Sequence, residues 1–399
     1  MAQSPVPYGS YPGQNIMTHC KYYFNGLDLH SNNTYVGVLD SKERRVLKGK
    51  FPNKLEVLMA VLEPHKERIV GVVVESTFNW YWLVDGLMDN GYKVHLAHPA
   101  AFKQYSGLKY TDDEHDAFFL AKMLKLGILP EGHIMPREER QLRDLLRKRL
   151  KLVRQSSTHI LSFKSLVSRN LGISMPSNEI KKLEDDEVND MFDNEHLALS
   201  AKVNIAAMNN LKWQIYEIRN SLLKAVKIKP QFEKLLTVPG IGNILAMTIA
   251  LETGDINRFP SVGDFSSYCR CVGSSRISNS KVKGSNNRKN GNKYLSFAFV
   301  EAAQKARRYC PPAQSFFMRK TIKTNKIVAT KALAHKLARA CFYIMRDQVD
   351  FDETKIFGKP LKVDKGCARE PKWGLGHQPS PPIGKSGAAH KQHDHIFIE

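Results

Sequence analysis

The chain has 399 residues, enough for two or three domains with cores of their own, and carries 60 Lys and Arg against 39 Asp and Glu, a net charge of +21. That excess points first to nucleic acid and second to an anionic membrane surface. No run approaches the roughly 20 apolar residues of a membrane span, and Met1 to Gln14, rich in Pro, Gly, Ser and Tyr, lacks the apolar centre of a secretory signal.

Residues 1–19 read as a flexible leader. Strands are expected at 21–29, 34–39 and 45–51, with a polar turn at Ser41–Arg44, then an amphipathic helix near 53–65. Strand 68–75, helix 79–91, strand 92–97 and a helix near 112–126 follow. Three strands in hairpin succession, then alternating helix and strand, predict a mixed α/β sheet over residues 20–130. The order resembles that of an RNase H-like (RuvC-like) domain, in which the first and fourth strands are central neighbours. Over 131–228 the pattern becomes helical, with Leu142, Leu145, Leu146, Leu150 and Val153 set among arginines and lysines. A second helical stretch runs from about 196 to 227, and the acidic Glu184–Glu187 between them reads as a solvated loop or helix end. Two long helices with little core of their own predict a helical or coiled-coil arm. Residues 229–350 form a second compact, mainly helical unit, and 351–399, rich in Pro, Gly, Lys and His, are expected to be disordered.

Four carboxylates carry the strongest chemical signal. Asp28 follows the apolar run Tyr22-Tyr23-Phe24-Asn25-Gly26-Leu27, and Glu75 ends Ile69–Val74. A carboxylate at the end of a buried strand is costly unless a cation meets it. Asp113 and Asp116 share one face at the start of a helix, with Thr111 and Glu114 spaced as a capping box. Acids there also favour the helix dipole without any metal. Converging, the four would hold Mg²⁺ or Mn²⁺, one ion or a pair roughly 4 Å apart.

Two further motifs lie in the second unit. Val238-Pro239-Gly240-Ile241-Gly242 has the signature of a helix-hairpin-helix, in which Gly240 and Gly242 let backbone N–H groups approach a DNA phosphate; a plain helix connection is the simpler reading. From Arg258 to Arg346 there are 19 Lys and Arg against two acids, so the charge is concentrated there. Inside lies Gly273–Gly284, a polar loop before a helix at 295–308, with Ser278 and Ser280 among Arg276, Lys281, Lys283, Arg288, Lys289 and Lys293. Its hydroxyls either bind phosphate or, in one case, attack it. The six cysteines, at 20, 269, 271, 310, 341 and 367, have no zinc-knuckle spacing, and reduced cytoplasmic thiols are expected.

The order Gly-Leu-Asp28, Val-Val-Glu75, Asp113-x-x-Asp116-Ala, Val-Pro-Gly-Ile-Gly, Ser278-Asn-Ser280-Lys and Lys289-Asn-Gly-Asn-Lys-Tyr-Leu resembles the insertion-sequence 110 family of DEDD transposases over about residues 20–350. The resemblance implies a prokaryotic DNA recombinase with a RuvC-like domain, a coiled-coil arm and a C-terminal transposase domain. Donor and target DNA would be paired by a bridge RNA, and homodimers would assemble into a synaptic tetramer. It implies Asp28, Glu75, Asp113 and Asp116 as metal ligands and a serine nucleophile, Ser278, with Ser280 standing where a glycine is common as the reserve. The competing chemistry is a metal-dependent, Holliday-junction-resolvase-like nuclease with no covalent serine; a non-catalytic nucleic-acid-binding protein is the third.

Overall fold

The computed structural model describes residues 22–98, 112–226, 230–273, 275–284 and 290–358. The chain divides into two compact units, 1–137 and 138–399.

The first unit is built on a six-stranded sheet. Strands β1 (Tyr23–Leu29), β2 (Asn33–Asp40) and β3 (Arg45–Pro52) form an antiparallel meander, followed by α1 (Leu55–Leu62) and a 3₁₀ turn at Glu63–Arg68. Strand β4 (Ile69–Glu75) then pairs parallel with β1, so that Leu27 faces Val74. Helix α2 (Tyr81–Asp89), β5 (Val94–Ala97), α3 (Asp113–Lys125) and the short β6 (Glu131–Gly132) complete the order β3-β2-β1-β4-β5-β6. The expected adjacency of the first and fourth strands is present. Most of their side chains are buried because a parallel centre is covered on both faces: β1 is buried but for Phe24, and β4 from Gly71 to Val74.

Helix α3 lies directly on β1 through its small face, Ala117 and Ala121. Gly26 makes this approach possible: a Cβ there would stand 1.9 Å from the Ala117 carbonyl oxygen and 2.9 Å from the Ala121 nitrogen. Gly26→Ala is therefore expected to cost about 3–5 kcal/mol, because the clash is with backbone that cannot rotate away. Chemical denaturation checks it; a wild-type midpoint would show the helix free to lift. The helix begins differently from expectation. Asp112 is the N-cap, its side chain accepting from His115 N at 2.7 Å, and Thr111 lies outside the described residues. Glu114 is not the partner of a capping box but takes up Tyr35 Oη at 2.8 Å, Lys48 and Arg45.

The second unit opens with α4 (Arg137–Leu171), followed by α5 (Ser177–Ile180), α6 (Asp185–Asp190) and α7 (Glu195–Val226). Helices α4 and α7 run antiparallel, His159 Nδ1 meeting Asn204 Oδ1 at 3.2 Å while Leu146 shares a core with Leu222 and Val226. The acidic stretch is the exposed starting end of a helix, one of the two forms expected, entered with Glu184 N donating to Glu187 Oε2 at 2.9 Å. One expectation fails here: the arm has a core of its own, in which Phe163, Val167, Ile180, Val188, Phe192 and Ile205 pack together. The two short helices supply the apolar side chains that close off the pair of long ones.

The remaining elements are α8 (Pro230–Leu236), α9 (Asn243–Thr253), α10 (Val262–Tyr268), β7 (Arg276–Ser278), β8 (Lys281–Gly284), α11 (Lys293–Tyr309), α12 (Pro311–Lys323), α13 (Lys326–Asp347) and α14 (Glu353–Phe357). Helix α13 is central, with Leu333, Leu337 and Cys341 fully enclosed. Residues 353–357, expected to be disordered, are helical, and Lys336 Nζ donates to Ile356 O at 2.7 Å. The tail from 359 onward lies outside the described residues.

A buried polar knot ties three distant segments together. Glu252, 2% exposed, accepts from Arg147 Nε and Nη2 at 2.7 Å each and from Asn292 Nδ2 at 2.7 Å. Asn292 caps α11 through Tyr294 N and Leu295 N, and its own N–H donates to Tyr268 O at 2.6 Å. A buried carboxylate so fully paired is strongly held, and removing one partner strands the charge.

Candidate metal centre

Strand pairing brings the carboxylates together. The parallel register of β1 and β4 sets Asp28 beside Glu75, and Gly26 lets α3 descend onto β1 with Asp113 and Asp116 in its first turns. Asp28 is 4% exposed. Its Oδ2 lies 3.0 Å from His30 Nε2, which is also 3.2 Å from Asp113 Oδ1. One ligand atom from each of Asp28, His30 and Asp113 falls within a 4.8 Å group. Lys50 Nζ donates to the other oxygen of Asp113 at 3.0 Å.

The electrostatics are those of crowded carboxylates. Burial pushes the Asp28 carboxyl up, and Asp116 and Asp113 add to this against the opposing pull of His30. Glu75 is pushed up to about 7, first by burial, then by the charge of Asp28 and a hydrogen bond to it. Asp116, at the exposed rim, is raised by desolvation of its carboxyl and by Asp112 and Asp113, with His115 opposing. Asp113 is instead held low, mainly by its hydrogen bond to Lys50. Two carboxyls hydrogen-bonded to one another need a proton between them, or a cation.

Asp28 Oδ2 is buried and receives no well-directed hydrogen bond. The imidazole nitrogen of His30 stands between two carboxylates, and Asp28, His30 and Asp113 would together hold a small cation. The donor set, carboxylate oxygens with one imidazole, fits a divalent ion. Asp116 acts electrostatically on Asp28 and Glu75, and neither Asp116 nor Glu75 is part of the three-atom group. His30 is the residue the sequence reading passed over. Its signal was its position two residues after Asp28, which at the end of a strand shares a face with it.

The other candidate residues belong to the second unit. Residues 276–284, read as a loop, are a β-hairpin, β7 pairing with β8 so that Ser278 faces Lys281. Its turn residues Asn279 and Ser280 have φ of 50° and 59°, a two-residue turn of the I′ kind. Ser278, Ser280, Lys281 and Lys283 are all exposed. Gly240, with φ 84°, owes its identity to packing: a Cβ would stand 2.3 Å from Ala302 O and 2.6 Å from Ala306 N. Gly242 is extended and caps α9 without a side chain. Lys293 opens α11 with its ammonium 5.2 Å from the Tyr294 ring centroid. Arg276 belongs to β7, and Arg288 and Lys289 lie outside the described residues. Cys269, Cys310 and Cys341 are buried free thiols, all pushed up by burial and so poor metal ligands.

Paired acids on a mixed sheet and a separate basic helical unit define a class of enzyme that acts on nucleic-acid phosphates. Comparison with known families is specific. Residues 25–169, which include all four carboxylates, match a DEDD transposase family of IS110 type described as "Transposase". Residues 232–318, which include the Val238–Gly242 turn and the serine hairpin, match the "Transposase IS116/IS110/IS902 family". The chain belongs to the IS110 family of DEDD transposases and is a DNA-acting enzyme of transposition. No curated protein matched the chain. Among the described residues no helix is long and apolar enough to cross a membrane.

Proposed function

We propose that the protein is a serine-type DNA recombinase of a mobile element, working in a prokaryotic cytoplasm. Asp28, Glu75, Asp113 and Asp116 hold Mg²⁺ or Mn²⁺, and Ser278 is the nucleophile. The observation that carries this reading is the buried, unsatisfied Asp28 Oδ2 facing His30 and Asp113. The strand order, with β1 beside β4, supports an RNase H-like (RuvC-like) fold for residues 20–130. The Val238–Gly242 turn between α8 and α9 supports a helix-hairpin-helix contact to DNA, α9 offering its positive end.

A divalent ion at the quartet supplies Lewis-acid neutralisation of the scissile phosphate. The chain's residues do the rest. Asp28 and Glu75 are fixed by the sheet, so their spacing does not relax when substrate arrives. Lys50 keeps Asp113 ionised. Ser278, held by strand pairing, gives up its proton to solvent and its oxygen bonds to phosphorus. The bond from phosphorus to the 3′ oxygen breaks, and that oxygen leaves as a hydroxyl. Reversal with a different 3′ end rejoins the strand. The basic stretch Arg258–Arg346 holds the phosphates. A bridge RNA pairing donor with target DNA, and a homodimer that assembles into a synaptic tetramer, complete the reading.

Protein incubated with donor DNA, target DNA, RNA and Mg²⁺, then denatured, is expected to leave DNA covalently joined to protein. Cleavage without any such adduct would instead favour a resolvase-like nuclease that uses the quartet alone.

A further inference from the structure

The C-terminal unit encloses a cavity of about 600 Å³ beneath the Val238–Gly242 turn, within the roughly 300–1,000 Å³ of small-ligand pockets. Its walls come from α4, the end of α8, the turn, one side of α9 from Ile244 to Glu252 and part of α11. Among its charged side chains, Arg147 is spent on Glu252, while Glu301 and Lys305 stand one turn apart on α11. Arg149 is left over. It is only 7% exposed, and its Nε has no hydrogen-bond partner. The charge that acts on it is the like charge of Arg219 on α7, whose Nε is also unpaired; burial and this neighbour push Arg149 down to about 10.

An unpaired buried guanidinium weakens a fold, and a ligand that pairs it would recover that cost. Guanidinium nitrogens are all donors, so the ligand must offer adjacent acceptors. The cavity also carries Phe297, 39% exposed, and Tyr309, 74% exposed, large rings left to solvent. Open rings stack on bases. The N-terminus of α9, capped by Gly242 without a side-chain hydrogen bond, leaves backbone N–H groups at the same wall for a flanking phosphate.

We propose that this cavity receives one base extruded from the bound DNA, stacked on Phe297, with the paired acceptors of guanine, O6 and N7, on Arg149. Guanine is favoured because its major-groove edge carries two adjacent acceptors, the commonest specific partner of arginine, whereas adenine sets a donor beside N7. The site depends on the protein acting on DNA and on neither the quartet nor the serine, so it is tested with the full chain in chelator.

Duplexes with a single bulged G, A, C or T are compared with the paired duplex by fluorescence anisotropy. The wild type is expected to bind bulged G at least about tenfold more tightly than the other bulges. Arg149→Met should abolish that preference, keep the affinity for paired duplex and raise the melting temperature, since a buried unpaired charge is gone. Phe297→Ala, a change at an exposed ring, should weaken all four bulged duplexes alike and leave the paired one unchanged. Equal binding of the four bulges by the wild type, a G preference that survives Arg149→Met, or a lower melting temperature in that variant would each overturn the proposal. So would the same preference for bulged RNA without one for bulged DNA.

Discussion

Replacing Asp28 with Asn is expected to reduce DNA cleavage by about 10³-fold or more while leaving the fold intact or firmer. Asp28 is buried, raised by burial, and in contact with both Glu75 and His30, so its charge is costly in the absence of a cation. The companion variant Glu75→Gln turns that cost into a pH signature. The Glu75 carboxyl stands at about 7 in the fold against an ordinary 4.5. The folded state therefore binds the proton more tightly than the unfolded chain. Below about pH 4.5 both states are protonated and nothing is lost; between there and pH 7 the fold loses stability, and above 7 the full penalty, about 1–3 kcal/mol, is expressed. Glu75→Gln never ionises, so its advantage in thermal unfolding with chelator present should be near zero at pH 4.5 and greatest at pH 8. Adding Mg²⁺ or Mn²⁺ at pH 8 should stabilise the wild type and help the variant less. A difference between the two proteins that stays flat from pH 4.5 to 8 would mean the carboxylates do not crowd one another.

The second large effect separates the two serines. Ser278→Ala should abolish both covalent adduct and strand exchange, with the hairpin preserved because Ser278 takes part in the sheet through its backbone. Ser280 occupies a turn position with φ of 59°, where a side chain is strained and glycine is at ease. Ser280→Gly should therefore retain activity and gain about 0.5–1 kcal/mol of stability. Adduct lost in Ser280→Gly but kept in Ser278→Ala would reverse the assignment. The observed turn explains why glycine is common at this position: Ser280 stands where the backbone asks for it.

Much of the first unit was legible because buried strands announce themselves. Ile69–Val74 is apolar throughout, and a Glu at its end stands out. The antiparallel meander followed from three short strands without room for a helix between them, and the adjacency of the first and fourth strands from the resemblance to an RNase H-like domain. Other features depend on contacts that no local pattern encodes. His30 gains its role from Asp113, on a helix remote in sequence. Ser278-Asn279-Ser280-Lys281 lacks both the alternation of a strand and the glycine of a hairpin, so the pairing of β7 with β8 was hidden. The core of the arm was missed because Phe163 and Val188 lie on separate helices and Phe192 in the connection after the second, whose acidic start reads as solvated. Gly240 was read for DNA approach, yet the backbone of α11 already requires it.

The knot of Glu252, Arg147 and Asn292 has a mechanical meaning. Helix α4 is continuous from Arg147 to Leu171, at the end packed by the short helices, a distance of about 36 Å at the rise of an α-helix. It contains no proline or glycine at which to bend. A push on the tip of the arm is therefore not absorbed along the way. It reaches Arg147, and from there Glu252 and Asn292, the residue that starts α11 just after the segment bearing the serines. The arm is a lever whose short end rests on the start of α11, so load at one end is carried to the other.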